Sequence, residues 1–247
     1  MTIPLSSRLR WYQTTGGILL AGLAVLVALV AIIFLILVTR YYFEIKNGRG
    51  EILFQEVYGG FTGPVGAGGA DAVTREQVES IDDPFLGNPT AGIVVVEFVD
   101  FKCPNCSAAL PIMKQVLQKY GHKIKLIIRD FPVESTHPGA GQLAEIANCA
   151  SEQGLYWVAH DWFYAHQTEL NGVLSTEQIK VVAGQIGLDY NKLSVCLRQS
   201  TIKIEVNRDY VDGYSAGVRG TPTFFINGKK VEGVIPFTVW DKFLEKQ

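Results

Sequence analysis

The chain has 247 residues and a formal net charge of −2, from 22 basic and 24 acidic side chains. The two signs are interspersed, which argues against a nucleic-acid-binding stripe and against an acidic tail. The length accommodates one good-sized domain with additional segments.

Residues 1–15 form a short polar lead. The run Gly16–Val38, GGILLAGLAVLVALVAIIFLILV, carries no charge. At about 1.5 Å per residue it reaches roughly 34 Å, enough to cross a bilayer. A cleaved signal peptide has a shorter apolar core, about 7–15 residues, and ends in a small-residue cleavage site. Here Val-Thr-Arg-Tyr-Tyr follows, so a retained transmembrane anchor is predicted over 16–38. Arg8 and Arg10 precede it and Arg40, Lys46 and Arg49 follow it, so charge bias does not orient it. Residues 39–82 read as a flexible linker, Gly-rich over Gly59–Ala70, with a short helix over Val73–Ser80.

A domain is predicted over 83–247. Ile93–Val99 is nearly continuously apolar, as in a strand buried on both faces. Pro104 suits the first turn of a helix running to about Tyr120, with Pro111 inside it. Ile124–Arg129 is a second strand, parallel to the first through that helix. Residues 139–218 read mostly as helix, including Gln142–Cys149, Tyr156–Gln167, Asn191–Leu197 and Ile202–Tyr214. Ser175-Thr176-Glu177-Gln178 resembles a capping box opening a helix that ends at Gly187. Thr223–Ile226, Asn227-Gly228 and Lys229–Gly233 read as a hairpin with a type I′ turn, and Pro236–Glu245 as a closing helix. The fold class is therefore α/β, in the order β-α-β, helical block, β-β-α.

The chemistry centres on Cys103-Pro104-Asn105-Cys106. A structural zinc site needs four ligands. His122, His137, His160 and His166 form no close pair with another ligand, so no metal is expected. A thiolate at a helix N-terminus meets unpaired N–H groups and the positive end of the helix dipole, which lower its pKa. Cys103 has that position, and Cys106 lies one turn further in, placed to resolve a mixed disulfide. The plainer reading is an inert structural pair, but so short a loop constrains the unfolded chain little. Gly220-Thr221-Pro222-Thr223 precedes the hairpin. A cis bond before Pro222 would free the Thr221 backbone for an extended peptide, and an ordinary turn proline is the alternative. Glu97, inside an apolar strand, is either a buried proton relay for Cys106 or a glutamate on a solvated strand edge.

These residues carry a resemblance. The segments DDPFLGNPTAGIVVVEFVDFKCPNC, RDFPVESTHPGA, NCASEQGLYWVAHDWFYAHQ and GTPTFFINGKK look like a DsbA-like thiol–disulfide oxidoreductase of the thioredoxin superfamily, over about Asp83–Gln247. The resemblance implies a thioredoxin-like fold with an inserted helical domain at about 139–218. It implies Cys103 as nucleophile, Cys106 as resolving cysteine, Pro104 and Asn105 as tuning dipeptide, Thr221 and Pro222 as a cis-proline loop, and Glu97 as the buried acid. His160, Asp161 and Trp157 match its helical-domain pattern and are read as packing. Some relatives carry a second disulfide, which Cys149 and Cys196 would form here. Asn105 stands where strong oxidants of the family carry His, so a disulfide isomerase or reductase stays open beside an oxidase. A tethered peptide-binding or chaperone module without redox turnover is the alternative from another class. No cofactor is implied beyond the Cys103–Cys106 disulfide. The implied partners are reduced exported proteins and a DsbB-like or VKOR-like membrane redox protein. The implied location is the cytoplasmic membrane, with residues 1–15 on the cytoplasmic side and the domain outside, where disulfides persist.

Overall fold

The computed structural model describes residues 15–44, 73–80 and 82–247. The lead expected over 1–15 and the Gly-rich stretch 59–70 lie outside them, apart from Thr15. Helix α1 (Thr15–Glu44) is continuous over 30 residues, and its stretch Leu19–Arg40 has a mean hydropathy of 3.3. It outruns the expected 16–38 span. Thr39 is accommodated because its hydroxyl donates to the Leu35 carbonyl at 2.7 Å, satisfying the polar side chain within the helix. Among the described residues this is the one helix long and apolar enough to cross a membrane. It and the domain are separate compact units.

The domain is built on a five-stranded sheet. Its strands are β1 (Phe85–Gly87), β2 (Ile93–Val99), β3 (Ile124–Asp130), β4 (Thr223–Ile226) and β5 (Lys229–Glu232), in spatial order β1-β3-β2-β4-β5. β2 and β3 are parallel and every other pairing is antiparallel. The parallel pair requires a crossover, supplied by helix α3 (Pro104–Tyr120), which continues through Pro111. β2 is the central strand and all seven of its residues are buried, which is why its sequence is apolar rather than alternating.

β1 is not legible in the sequence. It has three residues, two of them exposed, and pairs antiparallel with the edge of β3. The hairpin is as expected. Asn227 and Gly228 both have positive φ, 47° and 83°, as a type I′ turn requires. Helix α2 (Arg75–Val78) falls within the stretch read as linker, yet Val78 is 1% exposed in a core cluster with Val94, Val96, Phe98, Ile127, Phe131, Val218 and Phe225. The packed domain therefore includes residues that precede Asp83.

Between β3 and β4 come α4 (Ala140–Ser151), α5 (Tyr156–Ala165), α6 (Thr176–Ile186), α7 (Tyr190–Cys196) and α8 (Ser200–Ser215); α9 (Phe237–Glu245) closes the chain. Ser175 and Gln178 form the capping box of α6, and Gly187 ends that helix in the left-handed region. Helix α8 lies so close to the sheet that a Cβ on Gly213 would stand 2.8 Å from the Phe98 ring and 2.9 Å from the Phe131 ring. Only glycine permits that approach.

Cys149 of α4 and Cys196 of α7 are bonded, with an S–S distance of 2.04 Å. The bond closes a loop of about 48 residues, a constraint on the unfolded chain of roughly 4 kcal/mol in the chain-entropy account. Replacing both cysteines with Ala is expected to lower the denaturation midpoint accordingly, with the m-value rising as the unfolded state expands. An unchanged midpoint in urea would contradict this.

Candidate functional site

The Cys103–Cys106 turn follows from the local sequence. β2 ends at Val99, and the Asp100 carbonyl accepts the Cys103 N–H at 3.0 Å, turning the chain into α3. Cys103 is the N-cap with extended backbone, φ −75° and ψ 121°, and Pro104 takes the first helical position, where a missing N–H has no consequence. Cys103 and Cys106 are free thiols, 6% and 2% exposed. Pro104 and Asn105 are exposed.

The Thr221–Pro222 bond is cis. It brings the Thr221 carbonyl within 3.1 Å of the Cys103 Sγ, and the thiol donates to it. The cis-proline loop and the cysteine turn, 118 residues apart in sequence, thus share one place. Glu97 lies on the central strand, 5% exposed, between Ile128 of β3 and Phe224 of β4. The solvated-edge reading of this residue is thereby excluded. Glu97 and Cys106 border the same cavity.

The electrostatics divide the two thiols. The Cys103 pKa is lowered to about 5, first by a hydrogen bond from Cys106. The Thr221 side chain and the backbone N–H groups of Cys106 and Asn105 add to this, against an opposing burial effect. Thr221 acts in both directions, since its carbonyl serves the thiol and its side chain the thiolate. Cys106 is pushed well up, chiefly by burial and then by its bond to Cys103. Burial alone raises Glu97 to about 8, so its carboxyl is neutral at pH 7.

A stability prediction follows for Glu97. Between about pH 4.5 and 8 the unfolded carboxyl ionises while the folded one does not, so the folded state loses stability as pH rises through that window. Glu97→Gln has no such loss. Its stability relative to the parent should grow from pH 5 to pH 8 by a few kcal/mol, then level off. Urea denaturation at the two pH values checks this, and an advantage that stays constant or shrinks would contradict it.

Three contacts around the turn were not singled out from the sequence. Buried Asp100 accepts from the backbone N–H groups of Lys102 (2.7 Å) and Val133 (2.9 Å), and lies 2.8 Å from His137 Nδ1. Gln167 Nε2 donates to the carbonyls of Phe101 (2.8 Å) and Cys103 (2.9 Å), tying the helical insertion to the turn. Lys102 Nζ donates to the carbonyls of Pro138 (2.6 Å) and Gly172. Proximity to the cysteines was the available signal for Asp100 and Lys102; Gln167, in the quoted AHQ, carried none. His160 lies 3.0 Å from Asp161, which pairs with Lys114 at 2.6 Å. Among the described residues no cluster of metal-ligating side chains occurs.

Comparison with known proteins agrees with this architecture. The profile of the thioredoxin family matches residues 79–246. Among solved structures, the thiol-disulfide exchange protein α-DsbA2 from Wolbachia pipientis superposes with a TM-score of 0.60 at 24% identity, covering 69% of this chain and 90% of that one. Oxidised BdbD from Bacillus subtilis superposes with a TM-score of 0.60 at 21% identity, covering 71% and 97%. Among curated sequences, the Na(+)/H(+) antiporter NhaA 3 of Salinispora tropica is 35% identical over 153 residues, 61% of this chain but 22% of the antiporter's length. NhaA 1 of Salinispora arenicola is 34% identical over 152 residues, again 22% of its length. The chain belongs to the thioredoxin family, with the fold of its DsbA-like thiol–disulfide oxidoreductases.

Proposed function

We propose that the chain is a membrane-tethered thiol–disulfide oxidoreductase that introduces disulfides into exported proteins through Cys103 and Cys106. The observation that carries this reading is the divided pair, with one thiol lowered to about 5 and its neighbour pushed well up. In the oxidised form a substrate thiolate attacks the Cys103 sulfur and Cys106 leaves. A departing sulfur of high pKa needs a proton, and the neutral Glu97 carboxyl borders the same cavity. A second substrate thiolate then attacks the substrate sulfur of the mixed disulfide. Cys103 leaves as a stable thiolate, the enzyme is reduced by two electrons, and the substrate gains its disulfide. The exposed Pro104 and Asn105 and the Thr221–Pro222 loop flank the reacting sulfur and would receive an extended peptide.

The cycle uses no cofactor beyond the disulfide itself and needs a membrane redox partner, DsbB-like or VKOR-like, to restore it. Helix α1 would tether the domain on the extracytoplasmic side, where reduced exported chains emerge. The antiport of the curated relatives is not carried over, because the chain spans under a quarter of their length.

Asn105 favours a second reading, a reductase or isomerase of the same fold, because Asn places no charge beside the thiolate. The lowered Cys103 pKa weighs for the oxidase. At pH 7 it stabilises the reduced enzyme by about 2 kcal/mol relative to a thiol of pKa 7, equivalent to roughly 50 mV. Equilibration in glutathione buffers decides between the two. The oxidase reading expects a potential less negative than about −200 mV, and a value near −270 mV, that of thioredoxin, would favour the reductase.

A further inference from the structure

A cavity of about 230 Å³ lies among α3, β2, β3 and α5. Its walls are mostly hydrocarbon, from Leu110, Met113 and Leu117 of α3, Leu126 and Ile128 of β3, and Trp157 of α5. Six polar side chains also border it, namely Glu97, Cys106 and Tyr164, the buried His160, and the paired Lys114 and Asp161. The Tyr164 hydroxyl is buried and has no hydrogen-bond partner in the protein, and the residue is only 6% exposed. Buried hydroxyls are seldom left in this state, because an unpaired donor in a water-poor site is costly. We propose that this cavity is a binding site for a one-ring, mostly apolar molecule carrying a single carbonyl oxygen, which accepts hydrogen bonds from the Tyr164 hydroxyl and the Glu97 carboxyl.

The chemistry of the walls selects this class. An ordered water needs two to four polar partners, and the leucine, isoleucine, methionine and tryptophan side chains that make most of this cavity's wall supply none. An apolar cavity of roughly 150 Å³ is sufficient to hold benzene, so 230 Å³ holds one ring with a short substituent. Glu97 is neutral below about pH 8 and has an O–H to donate. It would therefore serve a carbonyl, while a carboxylate would lose its hydration against the mostly hydrocarbon walls. The mouth offers no net charge either, since Lys114 and Asp161, which also border the cavity, are paired at 2.6 Å. The site stands independently of the proposed exchange reaction, and its loss would leave that reading intact.

The chain provides its own reporter. Its two methionines are Met1 and Met113, and Met113 borders the cavity. The full chain in detergent, carrying ¹³C-labelled methionine methyls, is titrated with acetophenone and separately with ethylbenzene, which has the same ring without the carbonyl. Acetophenone should shift the Met113 methyl saturably and leave Met1 unmoved. Ethylbenzene should bind roughly tenfold more weakly, and Tyr164→Phe should weaken acetophenone by roughly fivefold while leaving ethylbenzene unchanged. Leu110→Trp, which fills the cavity, should abolish the shift. A shift that does not saturate, or that Met1 follows in parallel, would overturn the proposal as partition into detergent. Equal affinities for the two probes on the unsubstituted chain would overturn it as well, leaving an apolar packing gap.

Discussion

Replacing Cys103 with Ser is expected to bring thiol–disulfide exchange down to the uncatalysed rate, a loss of roughly a thousandfold or more. Only a thiolate attacks a disulfide, and at pH 7 a group with a pKa near 5 is almost entirely thiolate. Its lower intrinsic nucleophilicity takes back part of that advantage, but its quality as a leaving group serves the release of product. Cys106 cannot substitute, because burial holds it protonated. Iodoacetamide should therefore modify one cysteine of the reduced chain rapidly, with a rate that rises through about pH 5, and Cys103→Ser should remove that reaction. Oxidation of a dithiol peptide should fall with it while affinity for the peptide is kept. If the unsubstituted chain bound the peptide without oxidising it, and Cys103→Ser changed nothing, the chain would be a binding module and the cysteines incidental.

The largest expected effect on stability lies away from the cysteines. Arg129 of β3 is 2% exposed and surrounded by carboxylates. Its Nε lies 3.0 Å from Asp83 and 3.1 Å from Asp209, and its Nη2 lies 2.8 Å from Asp212 and also contacts Asp209. The guanidinium further stands 5.5 Å from the Phe98 ring centroid. These contacts join the segment before β1, the sheet and α8. Burial is strong enough to raise Asp83 to about 7, and Asp209 is raised in the same way, despite the cation between them. Arg129→Met would leave both carboxyls without that cation. The expected loss is about 3–5 kcal/mol at pH 7. The sign of its pH dependence is fixed. With the cation gone the folded state must keep these groups protonated, so the loss should shrink as pH falls from 7 towards 5. Arg208→Met, which breaks an exposed pair with Asp82, should cost about 0.5 kcal/mol or less. Urea midpoints at the two pH values test both. A loss at Arg129 no larger than that at Arg208 would contradict the account.

What the sequence disclosed follows from the range of the interactions. Ile93–Val99, the helix opened by Pro104 and the Asn227-Gly228 hairpin are specified within a few residues, and each stands where local pattern placed it. The capping box at Ser175 is equally local. β1 was not legible, because a three-residue edge strand with an exposed face has no period to read. The packing of Val78 against the sheet was hidden by the polar, Gly-rich stretch that leads up to it. The Arg129 cluster runs against the expectation that charged residues lie outside, and its partners are up to 83 positions away along the chain. Around the turn, the spacing of Cys103 and Cys106 was visible, but its supports were not. Gln167 reaches the Cys103 carbonyl from the helical insertion, and a lone glutamine in a helix carries no such sign.

The central claim is that Cys103 exchanges disulfides as a thiolate, and trapping the mixed disulfide tests it most directly. With Cys106→Ala in place nothing in the turn resolves the intermediate, so reduced enzyme incubated with a peptide disulfide should retain one peptide bonded to Cys103. Mass spectrometry of the full chain should find that single adduct, and alkylation of Cys103 in the unsubstituted chain, where Cys106 still donates to it, should rise with pH through an inflection below 7. No adduct, an adduct on another cysteine, or an inflection near the ordinary thiol value of about 8.5 would contradict the account.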